Sequence, residues 1–295
     1  MKRMRASDFD QRLLKLFDGY VHGKMSKRRF LDHAAKFTIG GVGAAAMLEM
    51  LQPNYALAQQ VAEDDPDITV TRITYDSPEV NGAINGLMAR PSTAVGPLPA
   101  ILVIHENRGL NPYIEDVVRR CPKAGYLALG PDGLSSLGGY PGNDESGREM
   151  QSQIDGTKLM QDFFAGFEHL LTHEASTGKV GAVGFCYGGG VCNALAVAYP
   201  EMAASAPFYG RQPDAADVPK IKAAMMIHYA GLDERINAGW PNYEAALQAA
   251  GTQHEAFIYE GVNHGFHNDS TPRYDEAAAS LAWERTLAHF ATHLS

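Results

Sequence analysis

Val180-Gly181-Ala182-Val183-Gly184-Phe185-Cys186-Tyr187-Gly188-Gly189 is the stretch that decides how this chain folds. Val180–Phe185 is an apolar run of strand length, and Tyr187–Tyr199 is apolar and small enough for a buried helix. Between them, Gly-x-Cys-x-Gly marks a sharp strand-to-helix bend that lifts one side chain to its tip. Side chains two residues before and two after the tip would strike the neighbouring strand and helix, so both places demand glycine. A cysteine there lies at a helix N-terminus, where the amide dipoles favour a thiolate. The spacing is neither G-x-G-x-x-G nor a Walker loop, so phosphate cradling fits it less well.

The sequence around the bend supplies a sheet to hold it. Ala100–Ile104 is a continuous apolar run, as in a strand buried on both faces, and further runs lie at Tyr126–Leu129, Ala204–Phe208, Ala223–His228 and Ala256–Tyr259. Helical spacing over Tyr113–Lys123, Asp155–His173, Tyr243–Ala250 and Asp275–Leu294 alternates with them. This alternation predicts a mainly parallel sheet with helices on both faces. Ile68–Tyr75 and Asn81–Arg90 read as two further strands, an antiparallel hairpin at the sheet edge.

Such a bend predicts its partners in the order nucleophile, acid, histidine. The strand Ala223–His228 leads to Asp233, and Ala256–Tyr259 leads through Gly261 to His264. Both therefore sit on loops beyond strand ends, the edge where open α/β sheets build their sites. Asp233 would fix the imidazole's tautomer, and His264 would exchange protons with nucleophile and leaving group. Glu234 is the nearest competitor for the acid. Taken together, Cys186, Asp233 and His264 point to acyl transfer at an ester or lactone carbonyl through an acyl-cysteine.

The stretches Gly184–Gly189, Leu232-Asp233, Asn263-His264-Gly265-Phe266 and Val103-Ile104-His105-Glu106-Asn107 resemble the dienelactone hydrolase (carboxymethylenebutenolidase) family over roughly residues 68–295. HENRGLNPYIEDV, PDGLSSLGGYPGND and GVNHGFHNDSTPRYDE look closer still to a bacterial subgroup with a similar N-terminal arm. The resemblance implies an α/β-hydrolase fold and a fourth site residue, Glu106, holding the resting thiol and helping to deprotonate it. It implies an oxyanion hole from the backbone N–H groups of Tyr187 and Asn107. Family members that cleave dienelactone hold the substrate carboxylate with arginines, one of them four residues after the histidine. Here that place is Asn268, a departure that puts dienelactone itself in doubt as the substrate; Arg148 matches the other, and Arg108 or Arg273 could substitute.

Charge separates the ends of the chain. Residues 1–60 hold ten Lys and Arg against five Asp and Glu, +5 within a total of −9, which leaves −14 on the remaining 235 residues. A body this acidic does not suit a general nucleic-acid binder. We read residues 1–61 as a basic arm or signal and 62–295 as one hydrolase domain. Ser26-Lys27-Arg28-Arg29-Phe30-Leu31, the mild apolar run Phe37–Leu48 and Ala56-Leu57-Ala58 follow the order of a twin-arginine export signal, which would make the protein periplasmic. Alternatively the arm is retained in a cytoplasmic protein, packing on the body or on a second copy in a homo-oligomer: Phe9, Leu13, Leu16 and Phe17 have helical spacing. Between Lys36 and Glu49 the apolar run is too short to span a membrane.

Three cysteines, Cys121, Cys186 and Cys192, do not make a disulfide framework. A thiol-based redox protein using Cys186 and Cys192 is the alternative to hydrolysis. No metal or other cofactor is expected, because His264/His267 and His289/His293 each lack a third ligand in the sequence pattern.

Overall fold

The computed structural model describes residues 3–37, 42–77 and 82–295. Eight strands form one sheet: β1 (Ile68–Ser77), β2 (Gly82–Pro91), β3 (Leu98–Ile104), β4 (Leu127–Pro131), β5 (Ser176–Phe185), β6 (Ala204–Phe208), β7 (Ala224–Ala230) and β8 (His254–Tyr259), in the order β1-β2-β4-β3-β5-β6-β7-β8. β1 and β2 are antiparallel from Ile68↔Pro91 to Ser77↔Gly82, and β2 meets β4 antiparallel; all other pairs are parallel. The edge hairpin is as the alternating pattern predicted, although Asn81, the expected first residue of its second strand, lies outside the described residues.

The helices of the body are α4 (Pro112–Lys123), α5 (Asp144–Gln151), α6 (Gly156–Thr172), α7 (Tyr187–Ala198), α8 (Glu234–Asn237), α9 (Trp240–Ala250) and α10 (Glu276–His293). Period-2 geometry splits β3 between two cores. Ala100, Leu102 and Ile104 face α6, α7 and α9, represented by Phe163, Val191 and Leu247. Ile101 and Val103 face α4 and α10, represented by Val117 and Phe290. All five strand residues are fully buried, and each Leu, Ile or Val contributes roughly 1.5–3 kcal/mol by leaving water. From β3 the chain steps outward to β4, and after β5 it proceeds the other way to β8. The strand order thus reverses between β3 and β5, which opens a crevice at their C-terminal ends.

Arm helices α1 (Gln11–Val21), α2 (Lys27–Ala34) and α3 (Ala44–Met50) enclose a small core of their own, with Leu13, Leu14, Phe17, Tyr20, Phe30 and Leu48 buried. The apolar spacing placed α1 at Phe9–Phe17; the helix starts two residues later because Asp10 caps it, accepting from Arg12 N, and it runs on to Val21. The basic stretch at Lys27–Arg29 is the first turn of α2, capped by Ser26. Residues 38–41 of the mild apolar run lie outside the described residues. Among the described residues no helix is long and apolar enough to cross a membrane.

Candidate active site

Cys186 stands between β5 and α7 with φ 56° and ψ −109°, and its amide donates to Phe208 O at 3.0 Å. A non-glycine residue at positive φ is strained, a cost the surrounding packing must impose. That packing is visible at the glycines. A Cβ on Gly184 would lie 2.3 Å from Gly188 O, and one on Gly188 would lie 2.3 Å from Ile104 O. The bend is therefore clamped between strand and helix as the motif requires.

The acid and the histidine reach this point from β7 and β8. Asp233 caps α8, accepting from Ile236 N at 3.2 Å, and its other oxygen lies 2.5 Å from His264 Nδ1. With both oxygens engaged, the carboxylate holds one tautomer of the ring and leaves Nε2 free to face the thiol. Burial pushes the Asp233 carboxyl up, but the hydrogen bond and charge of His264 outweigh it and the net shift is downward. His264 is 5% exposed and lies over Tyr209, ring centroids 4.8 Å apart. Glu234, the competing acid, points away from the site to Lys15 Nζ at 2.8 Å.

An unexpected residue completes the cluster. His22, at the end of α1, lies with Nε2 3.3 Å from Cys186 Sγ, and its ring meets that of His264 edge-on at 4.7 Å. The sulfur and one nitrogen of each imidazole all fall within 4.8 Å of one another. Burial raises the thiol's pKa, but His22 and then His264 outweigh it and bring it down to about 6. Burial likewise lowers the His264 imidazole, but the Cys186 thiolate and Asp233 raise it to about 10. The arrangement favours a thiolate–imidazolium pair near neutral pH. The expectation that His264 lacks further metal-type donors does not hold in space, because His22 and Cys186 complete a set of three, the number a catalytic zinc site uses. With His22 Nε2 3.3 Å from Sγ, we read the three as a hydrogen-bonded group.

Glu106 is buried at the end of β3 and accepts from Asn268 Nδ2 at 2.8 Å. Asn268 is oriented in turn by Ser270, whose Oγ donates to its Oδ1 at 2.6 Å. Tyr187 is the first residue of α7, so its N–H has no partner within the helix. Asn107 sits across the crevice, its side chain donating to Val21 O at 2.8 Å.

The arginines are engaged elsewhere. Arg108 forms a buried ion pair with Asp144 at 2.6 Å, an acid that Tyr55 and Tyr140 also bind. Arg148 lies on α5, a helix started by the Asn143 cap and the acids Asp144 and Glu145. Its guanidinium covers the Tyr20 ring at 4.6 Å and donates to Tyr20 O at 3.3 Å. Arg273 lies 3.5 Å from Asp18 of the arm.

The redox alternative finds no geometry. All three thiols are free, and Cys192 is fully buried six residues along from Cys186 on α7. Six helical residues rise roughly 9 Å, beyond the ~7 Å limit for a disulfide between Cα atoms. His267 is a buried neutral ring facing Tyr113 Oη at 2.7 Å, and His289 faces Ala224 O at 3.1 Å.

His22, Asp18 and Arg235 were missed in the sequence. The one available signal was the i,i+4 pair Asp18/His22, which places an acid and an imidazole on one face of the arm helix.

Residues 84–294 match the profile of the dienelactone hydrolase family, and residues 1–36 match a YqhI-like profile. A Synechocystis sp. protein assigned as a carboxymethylenebutenolidase is 32% identical over 248 residues, covering 77% of this chain and 98% of its own. YghX of Escherichia coli (strain K12), assigned as a hydrolase fragment, is 59% identical over 114 residues, 39% of this chain and 97% of its own. Among solved structures, a Klebsiella pneumoniae protein assigned as a dienelactone hydrolase superposes with TM-score 0.66 at 25% identity, covering 76% of this chain and 99% of that one. With the elbow, the sheet order and these likenesses together, the chain belongs to the dienelactone hydrolase family and is a carboxylic ester hydrolase of the α/β-hydrolase fold.

Proposed function

We propose that the chain hydrolyses a lactone or small carboxylic ester through an acyl-cysteine intermediate on Cys186, served by His264 and Asp233. The observation that carries this reading is the strained Cys186 at the elbow, within 4.8 Å of a His264 ring that Asp233 holds at 2.5 Å. The thiolate attacks the carbonyl carbon, and the amides of Tyr187 and Asn107 receive the oxyanion. Losing one such donor typically costs ~3 kcal/mol of transition-state stabilisation. Collapse expels the leaving oxygen, which takes a proton from an imidazolium. His264 then draws a proton from water, the hydroxide attacks the thioester, and the C–S bond breaks to restore the thiolate. Glu106, buried at the end of β3, is the further group that the family resemblance makes a helper in deprotonating the thiol when substrate arrives.

Screening purified protein against lactones and aryl esters, with Cys186→Ala alongside, tests the proposal. Wild-type turnover lost in the variant, and an acyl adduct trapped on Cys186 by mass spectrometry, are expected. Unchanged turnover in Cys186→Ala sinks it.

A further inference from the structure

We propose that His22, delivered by the N-terminal arm, is a further catalytic residue: it takes the proton of the Cys186 thiol and returns it to the leaving oxygen, leaving His264 free to activate water. The proposal rests on the ester-hydrolase reading above.

Two Asp–His pairs converge on one sulfur. Asp233 stands behind His264, and Asp18 stands behind His22 with Oδ1 3.1 Å from Nδ1. The same Nδ1 lies 2.8 Å from Asp18 O, so two acceptors keep the proton on that nitrogen and turn the Nε2 lone pair toward Sγ, 3.3 Å away. A side chain that merely filled the crevice would need no carboxylate behind it. The remaining charges are Arg235, whose Nη2 lies 3.4 Å from both His22 Nε2 and His264 Nδ1, with Asp233 4.0 Å from Arg235 and Arg273 3.5 Å from Asp18. Burial lowers the His22 imidazole, but the Cys186 thiolate and Asp18 outweigh it and the net shift is upward.

The arm is built to hold this ring in place. α1 ends in a Schellman pair, with Gly23 N donating to Tyr20 O at 3.0 Å and Lys24 N to Gly19 O at 2.8 Å, and Gly23 takes φ 72°. His22 is therefore the fixed last residue before the chain reverses. Asn107 and Arg148 donate to the last-turn carbonyls of Val21 and Tyr20, docking the helix end on the crevice.

In the acylation step the S–H proton passes to His22 Nε2, Sγ bonds the carbonyl carbon, and the π pair moves onto oxygen. The pair then returns, the bond to the leaving oxygen breaks, and that oxygen takes the proton back from His22. Acylation removes the thiolate charge that raised the His264 imidazole, so that ring releases its proton to solvent and is then ready to accept one from water in the second step.

Iodoacetamide alkylation of Cys186 against pH, in full-length wild type and His22→Gln, tests this without relying on turnover. The midpoint in His22→Gln should rise by about one unit or more, a ~tenfold loss of thiolate below it. In parallel, kcat/KM for an ester that the wild type cleaves should fall by about 10²-fold, within the range of a lost general base. An unmoved midpoint overturns the role, and faster alkylation at every pH with that midpoint unmoved marks His22 as a plug. If His22→Gln does not fold, the wild type carries the test by NMR. Alkylating Cys186 removes the thiolate, so the His22 ring must then titrate at lower pH, and an unchanged titration overturns the proposal. Turnover surviving in Cys186→Ala would instead defeat the hydrolase reading, a separable result.

Discussion

Gly188→Ala and Gly190→Ala, two residues apart in one run of glycines, should have opposite effects on stability. At Gly188 the new Cβ lies 2.3 Å from Ile104 O and 2.7 Å from His105 O, short of the 3.0 Å that Cβ contacts require by 0.7 Å at the closer atom. Both neighbours are backbone, so no side chain can swing aside, and Ile104 is hydrogen-bonded into the sheet opposite Gly184. The end of β3 and the start of α7 must separate, which should cost about 1–3 kcal/mol as overpacking does. These two segments also carry Asn107 and Cys186, and a displacement approaching 1 Å between reacting groups typically costs about 10²-fold in rate. At Gly190 the nearest atom is 3.6 Å away, on Arg211, and the residue lies inside α7. Alanine there should stabilise by roughly 0.5–1 kcal/mol through helix propensity. Urea unfolding of both variants and their kcat on one ester decide the matter. Gly188→Ala with stability within about 0.5 kcal/mol of wild type and full turnover would refute the packing argument.

The pH profile of kcat/KM should be broad. Activity rises as pH passes about 6, where the depressed Cys186 thiol ionises, and falls toward about 10, where the raised His264 loses its proton. A first limb near 8.5, the ordinary thiol value, would contradict the ion-pair geometry. An enzyme that uses His22 keeps its arm, so N-terminal sequencing of protein from cells should find a start ahead of His22. A start at Gln59, as cleavage after Ala56-Leu57-Ala58 would give, defeats that expectation.

The elbow and the order Cys186, Asp233, His264 were legible because they depend on local rules. Loops that follow successive parallel strands open on one edge of the sheet, so spacing along the chain already implies meeting in space. Strand ends were less legible: β5 begins at Ser176, four residues before the apolar run, because pairing with β3 extends into its polar start. The short helix α5 rests on a cap rather than on apolar periodicity, and a periodicity reading passes over it.

Side-chain pairing between distant elements left no such trace. Arg108 looked free to bind a substrate carboxylate, yet Asp144 neutralises it within the protein. His22 and Cys186 are 164 positions apart, and only the docking of α1 on the crevice brings imidazole to sulfur. The sequence by itself determined the elbow, the strained backbone at Cys186 and the sheet that carries them, since steric exclusion at Gly184 and Gly188 acts over a few residues. Tertiary structure alone decided which charges share that sulfur. Hydrogen bonding and electrostatics act over a few ångströms of space, whatever the distance along the chain.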